Sequence, residues 1–216
     1  MEILKDLFSS YEEYDSLEEI EKVYNNCTEC KLYENRKELP CVIPYNNQRV
    51  MVVSDWPHSG ETLKITSTEG SLLKVFLQEN PIQIKQEHIY YTHLIGCPYD
   101  DERIYNKIIP NECFEKCQPR IESLIQVISP QILVLVGLQV MIRLLGHQGS
   151  NFVAHEFQYL GKHNYKGITT YAIPHPIVLK NMLELGSGKE DHNKFLQIMT
   201  DNLKLIQKEY KSAVKA

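Results

Sequence analysis

The stretch Gln131-Ile132-Leu133-Val134-Leu135-Val136-Gly137 decides the fold of this chain. An unbroken aliphatic run of this length is typical of a strand buried on both faces, and a helical pattern over residues 138–145 follows the glycine directly. Shorter runs predict further strands at 49–54, 88–95 and 169–173, and helical patterns occupy 16–25, 71–79, 110–128 and 191–212. Because strands alternate with helices, we predict a three-layer α/β/α fold around a mostly parallel, four-stranded central sheet.

The composition is that of one globular domain with short extensions. The chain has 216 residues, of which 43% are hydrophobic and 24% are charged, as in ordinary α/β domains. We expect a single domain over 1–216, in which residues 1–26 form an N-terminal helical extension and residues 188–216 a C-terminal helix. No apolar run is long enough to span a bilayer, and the acidic start is unlike a secretory signal. A cytoplasmic monomer without membrane association is therefore expected.

The cysteines of the chain indicate a metal site. A cytosolic chain with six cysteines uses them for metal binding or reactivity more often than for disulfides. Cys27 and Cys30 form a C-x-x-C pair that follows a predicted helix, unlike a thioredoxin-type redox pair. Three more cysteines follow, at Cys97, Cys113 and Cys117. Four thiolates suit either tetrahedral zinc or a 4Fe–4S cluster, and the spacing alone does not separate the two.

Polar residues follow the predicted strands at the points where a ligand is expected. In parallel α/β sheets, ligands bind at the carboxyl ends of the strands. The segments that follow the strands are 55–61, 93–97, 137 onward and 175 onward. The chemistry of the chain is expected in these segments. The formal net charge of −5 counts against tight, non-specific DNA binding but leaves room for a local basic groove.

The order of motifs along the chain resembles the family 4 uracil-DNA glycosylases of the uracil-DNA glycosylase superfamily. The matching motifs lie at 27–32, 52–57, 70–73, 89–97, 110–119, 130–137 and 173–176. They cover the chain from Cys27 to about Lys180. The resemblance implies a hydrolase that flips a base out of DNA, breaks its N-glycosidic bond and leaves an abasic site, as in base-excision DNA repair.

The resemblance also implies a cofactor and its ligands. Members of the family carry a 4Fe–4S cluster, and the matching positions here are Cys27, Cys30, Cys97 and Cys117. Cys117 is preferred as the fourth ligand because an x-Pro pair follows it, as it follows the family's fourth cysteine. Cys113, one helical turn earlier on the same face, is the alternative.

Three residues match the family's catalytic positions. Asp55 and Glu61 match the two acids of its loop, and His175 matches its His-Pro. A carboxylate stabilises cationic character on the sugar and orients water, whereas a histidine donates to the negative charge that grows on the departing base.

The base-reading positions depart from the family. His93 stands where the family has an asparagine, Trp56 replaces a small residue, and Ile65 falls near the aromatic that stacks on the base. A neutral imidazole donates and accepts, as an amide does, but with a different geometry. We therefore predict excision of uracil or of a modified pyrimidine such as a phage cytosine, in repair or antiviral defence. The alternatives are a non-catalytic iron–sulfur relative that binds DNA or a protein partner, and a zinc-stabilised α/β protein of unrelated activity.

Overall fold

A five-stranded sheet forms the centre of the molecule, in the order β2-β1-β3-β5-β4. It is seen in a computed structural model, which describes residues 14–35, 49–55, 84–85, 88–97, 111–146, 160–175 and 189–215. The strands are β1 (Val50–Ser54), β2 (Ile89–His93), β3 (Ile132–Val136), β4 (Gly161–Tyr165) and β5 (Ile168–Ile173). All neighbours are parallel except β4 and β5. The mostly parallel sheet is therefore confirmed, with one strand more than predicted.

The additional strand is β4, which carries no aliphatic run. Its residues are mostly polar and only Tyr165 is buried, so hydrophobic pattern does not reveal it. The strand is created by the tight turn at Lys166 and Gly167, both of which have positive φ values of 50° and 88°. This conformation matches the two-residue hairpin turn. The backbone N–H of Gly167 also donates to the Asn164 side chain at 2.9 Å, so β4 is an antiparallel edge strand that pairs with β5.

The described helices agree with the sequence patterns. They are α1 (Leu17–Asn25), α2 (Asn111–Ile128), α3 (Leu138–Leu145) and α4 (Lys189–Lys215), and a short 3-10 helix spans Lys31–Asn35. Ser16 is the N-cap of α1, as predicted, because its hydroxyl accepts a hydrogen bond from the backbone of Glu19. The helix predicted at 71–79 lies outside the described residues. Among the helices that the structure describes, none is both long and apolar enough to cross a membrane.

Helices cover both faces of the sheet. Alternate side chains of β1 point to opposite faces: Met51 and Val53 pack with α1, α2 and α3, whereas Val50 and Val52 pack with α4. Strand residues alternate in this way because the pleat has a period of two. The three-layer α/β/α arrangement is thus confirmed. It buries the middle of the sheet and leaves the carboxyl ends of its parallel strands together at one edge.

Replacing Met199 with alanine is expected to lower the free energy of unfolding by about 2–5 kcal/mol. Met199 is 0% exposed and lies in the buried stripe of α4, between Phe195 and Leu203. Truncation there leaves a cavity that the packed sheet cannot fill. Leu196 on the same helix is 38% exposed, so Leu196→Ala is the control and should change stability by no more than about 0.5 kcal/mol. Denaturant unfolding measures both, and equal losses would contradict the burial of this helix face against the sheet.

Candidate active site

Four residues that end or follow the parallel strands lie at one edge of the sheet. Asp55 follows β1, His93 ends β2, Gly137 follows β3 and His175 follows β5 shortly after its last residue. These four strands are parallel, so their carboxyl ends face the same way. The end of β2 is also tied to the segment after β1, because the backbone N–H of Ile95 donates to the Asp55 carbonyl at 2.9 Å.

Asp55 and His175 face each other. The Nε2 atom of His175 lies 3.8 Å from Oδ1 of Asp55, and the two side chains are only 9% and 14% exposed. This separation is too long for a direct hydrogen bond, but it brings a carboxylate and an imidazole into electrostatic contact. The Ser54 hydroxyl donates to the same Asp55 oxygen at 3.2 Å. A carboxylate and a potential hydrogen-bond donor therefore lie side by side, and both side chains are largely buried.

Gly137 lies next to both of these side chains. A Cβ placed on it would lie 3.5 Å from Cβ of His175 and 3.6 Å from Oδ2 of Asp55. The residue has φ 93° and ψ 153°, a combination that glycine alone adopts readily. Gly137 is therefore required by its backbone conformation, whereas the distances around it are ordinary van der Waals contacts.

Replacing Gly137 with alanine is expected to cost about 1–3 kcal/mol of stability, because its backbone conformation disfavours a side chain. Gly146 is the matched control: it also has a positive φ, of 70°, and a Cβ there would meet nothing within 4 Å. Its φ and ψ of 70° and 22° lie in the left-handed helical region, which other residues also adopt, so Gly146→Ala should cost less. Denaturant unfolding measures both losses. Equal losses in the two variants would contradict the special requirement for glycine at position 137.

His93 lies inside the protein at the end of β2 and is 1% exposed. Its Nε2 atom is 3.3 Å from the Tyr91 hydroxyl, and the two rings meet edge to face with centroids 5.1 Å apart. Its carbonyl accepts a hydrogen bond from Nη2 of Arg120 on α2. Tyr91 therefore contacts the ring of His93, and Arg120 binds its backbone carbonyl.

The cysteines of the described segments come together between α1, α2 and the end of β2. Cys30 forms a side-chain hydrogen bond with Cys113, and Cys117 accepts one from the backbone N–H of Gly96. Cys30, Cys97, Cys113 and Cys117 belong to the same packed cluster. Burial, followed by the charge of Cys30, raises the pKa of Cys113 to about 12. Burial also raises the pKa of Cys117, although the Arg120 cation acts in the opposite direction.

The family model of the uracil DNA glycosylase superfamily matches residues 41–199 of this chain. The chain belongs to the uracil-DNA glycosylase superfamily. It is also similar to the type-4 uracil-DNA glycosylase of Sulfurisphaera tokodaii, with 25% identity over 170 residues that cover 75% of this chain and 74% of the relative. The resemblance inferred from the motifs is therefore confirmed. The superfamily match includes Asp55, His93 and His175, whereas Cys27 and Cys30 precede it.

The cysteines fit the cofactor that the superfamily resemblance implies. Thiolates are the ligands that iron–sulfur clusters take. The described part of the chain brings thiols from three segments within reach of one another, since Cys30 contacts Cys113 and the charges of Cys27 and Cys30 act on Cys117. Among the described residues, no group of three or more His, Cys, Asp or Glu side chains is arranged so that it could hold a metal ion. The donor chemistry of these thiols nevertheless fits a cluster.

Two residues that contact His93, Tyr91 and Arg120, were not predicted from the sequence. Tyr91 lies two residues before His93, so strand periodicity alone places it on the same face and gives a signal. Arg120 lies three residues after Cys117, but helix spacing does not indicate what its guanidinium contacts. Three predicted residues, Trp56, Glu61 and Ile65, lie outside the described part of the chain and stay predictions.

Proposed function

We propose that this member of the superfamily is a DNA glycosylase that hydrolyses the N-glycosidic bond of a flipped uracil or modified pyrimidine. The observation that carries the proposal is the approach of His175 Nε2 to Asp55 Oδ1, at 3.8 Å, at the carboxyl edge of a parallel sheet. Such edges are where α/β proteins bind ligands. Family membership and a type-4 relative support the same activity.

Asp55 and His175 take complementary roles in this reaction. As the bond between base and sugar breaks, its electron pair goes to the base and the sugar becomes cationic. The Asp55 carboxylate stabilises this cation and orients water, and Glu61 is the second acid in this role. The oxygen of the water bonds to the anomeric carbon and its proton passes to a carboxylate. His175 donates a hydrogen bond to the departing base, whose negative charge it stabilises.

His93 reads the flipped base in this proposal, together with Trp56 and Ile65. A base-reading site must offer hydrogen bonds to the base edge within a closely fitting pocket. The burial of His93 and its contact with the Tyr91 hydroxyl support a fixed ring orientation. An imidazole in place of the family's amide favours a pyrimidine with an altered edge, such as a modified phage cytosine. Removal of such bases would serve repair or antiviral defence.

The cluster proposed for this protein is of the 4Fe–4S type, held by Cys27, Cys30, Cys97 and Cys117. When bound, it would join the segment after α1 to the end of β2 and to α2, and so act as a structural centre. The effects of Cys27 and Cys30 on Cys117 support Cys117 as a ligand. The hydrogen bond between Cys30 and Cys113 keeps Cys113 as the alternative.

A substrate panel tests the proposed activity. Metal-replete protein is incubated with single strands and duplexes that bear uracil, hydroxymethylcytosine or glucosylated cytosine. Alkali then cleaves the strand at any abasic site, and the products are separated by length. Cleavage at the modified position of at least one substrate supports the proposal, and its absence on all of them rejects it.

A second candidate function is a non-catalytic iron–sulfur relative that binds DNA or a protein partner. The histidine at the family's asparagine position favours it, because base reading by the amide is lost there. Binding of the same substrates without any cleavage would support this candidate. The presence of a carboxylate and a histidine in contact at the edge of the sheet favours the enzyme.

A further inference from the structure

The Tyr91 hydroxyl contacts one of the two ring nitrogens of His93. The two residues are separated by one position on β2, so their side chains lie on the same face of the sheet. The hydroxyl oxygen lies 3.3 Å from Nε2, and the rings meet at an interplanar angle of 76° with their centroids 5.1 Å apart. Because His93 is 1% exposed, bulk water competes little for its ring nitrogens. Tyr91 therefore sets the role of Nε2 in hydrogen bonding.

The pairing of β1 with β2 places His93 at the same edge of the sheet as Asp55. His93 is in register with Ser54, and laterally paired residues of neighbouring strands point their side chains to the same face. Ser54 precedes Asp55, and its hydroxyl donates to the Asp55 carboxylate at 3.2 Å. The backbone N–H of Leu94 donates to the Ser54 carbonyl at 2.7 Å, which fixes the register where the two strands end. The His93 ring therefore belongs to the edge that carries the proposed chemistry.

The chemistry of the two groups sets the direction of their hydrogen bond. A phenol is a stronger acid than the N–H of a neutral imidazole, and an imidazole nitrogen is a stronger base than a phenol oxygen. The favoured arrangement therefore has Tyr91 donating and Nε2 accepting. A neutral imidazole carries one hydrogen, and the bond made by one nitrogen decides where it lies. With Nε2 as the acceptor, the hydrogen of His93 is on Nδ1, which is not the position that free histidine prefers in water.

We propose that Tyr91 is a positioning residue that fixes the tautomer of His93 and makes Nδ1 a hydrogen-bond donor toward the base. The inference rests on the proposed function where it assigns His93 to the flipped base. A donor selects an acceptor on the base edge, which is a carbonyl oxygen or a ring nitrogen without hydrogen. It rejects an amino group or an N–H at that point, because two facing donors both stay unpaired. The family's asparagine offers a donor and an acceptor, so His93 narrows what the site reads.

Tyr91→Phe tests the proposal, because it removes the hydroxyl and keeps the ring that meets His93. Long-range ¹H–¹⁵N NMR correlations of the His93 ring, recorded on metal-replete protein at neutral pH, distinguish the two tautomers. We expect the Nδ1–H tautomer in the unmodified protein and a shift to Nε2–H in Tyr91→Phe. Single-turnover base release should also slow by roughly tenfold in the variant, since the competent tautomer becomes the minor one.

Tyr90→Phe is the matched control. Tyr90 lies on the same strand but packs into the core on the opposite face of the sheet, so loss of its hydroxyl should leave the His93 tautomer unchanged. An Nε2–H tautomer in the unmodified protein, or the same tautomer in the unmodified and Tyr91→Phe proteins, would overturn the proposal. A shifted tautomer with an unchanged rate of base release would refute the reading role of His93. The NMR measurement needs no base release, so a protein without glycosylase activity would refute the proposed function while the tautomer still decides the role of Tyr91.

Discussion

Replacing His175 with alanine is expected to slow base release by about 10²–10³-fold, the loss seen when a donor to a developing anion is removed. The ring lies next to Asp55 at the carboxyl edge of the sheet, where the base departs in the proposed reaction. Asp55→Asn should cause a loss of the order of 10²-fold or more, because the amide no longer stabilises the cationic sugar. Asp55→Asn keeps the shape of the side chain and should fold normally, whereas His175→Ala removes a buried ring, so its folding is checked by denaturant unfolding.

The measurement is single-turnover base release on the preferred substrate of the panel. Single turnover removes the contribution of product release. His163 is half-buried on the edge strand β4, and His163→Ala is the matched control, expected to react like the unmodified protein. If His175→Ala and Asp55→Asn both kept the unmodified rate, the assigned catalytic roles would be wrong and other residues would carry the reaction.

The second large effect is expected from Cys30→Ser. Cys30 contacts Cys113, and its charge acts on Cys117, so it takes part in the ligand set whether Cys117 or Cys113 is the fourth ligand. The variant should be purified without the brown colour and the iron of the unmodified protein. Its free energy of unfolding should fall by about 3–4 kcal/mol, the linkage of a group present at 100 to 1,000 times its dissociation constant.

Three further variants define the fourth ligand. We expect Cys117→Ser to lose iron and Cys113→Ser to keep it, and the opposite pattern would assign Cys113 instead. Cys41→Ser is the control, since Cys41 is not among the proposed ligands, and it should retain its iron. Iron and sulfide analysis with visible absorption distinguishes a cluster from zinc. Iron retention by Cys30→Ser at the unmodified level would contradict the cluster assignment.

The sequence predicted most of the fold because buried parallel strands have an unambiguous pattern. The run 132–136 is aliphatic throughout, and the neighbouring strand β1 is apolar from Val50 to Val53. The strand β4 was not predicted because it is polar and lies at an edge of the sheet. The Lys166–Gly167 turn, rather than burial of apolar side chains, brings it alongside β5.

The sequence predicted which segments form the candidate site, but not which side chains in them make contact. Asp55 and His175 were expected at the same edge because each follows a parallel strand, but the sequence pattern does not give the 3.8 Å separation of their side chains. The contacts of Arg120 were not predictable, since they join α2 to the end of β2 across the packed core. Helix periodicity indicates which face is buried, but not which carbonyl a buried guanidinium meets.

The central claim is that this protein breaks an N-glycosidic bond, and the most direct measurement is mass spectrometry of the free base released from DNA. Metal-replete protein and its Asp55→Asn variant are incubated with the panel substrates, and the small-molecule fraction is examined. We expect free uracil or a free modified pyrimidine from the unmodified protein, in an amount equal to the abasic sites formed, and much less from the variant. Intact DNA, or nucleotides in place of a free base, would contradict the claim.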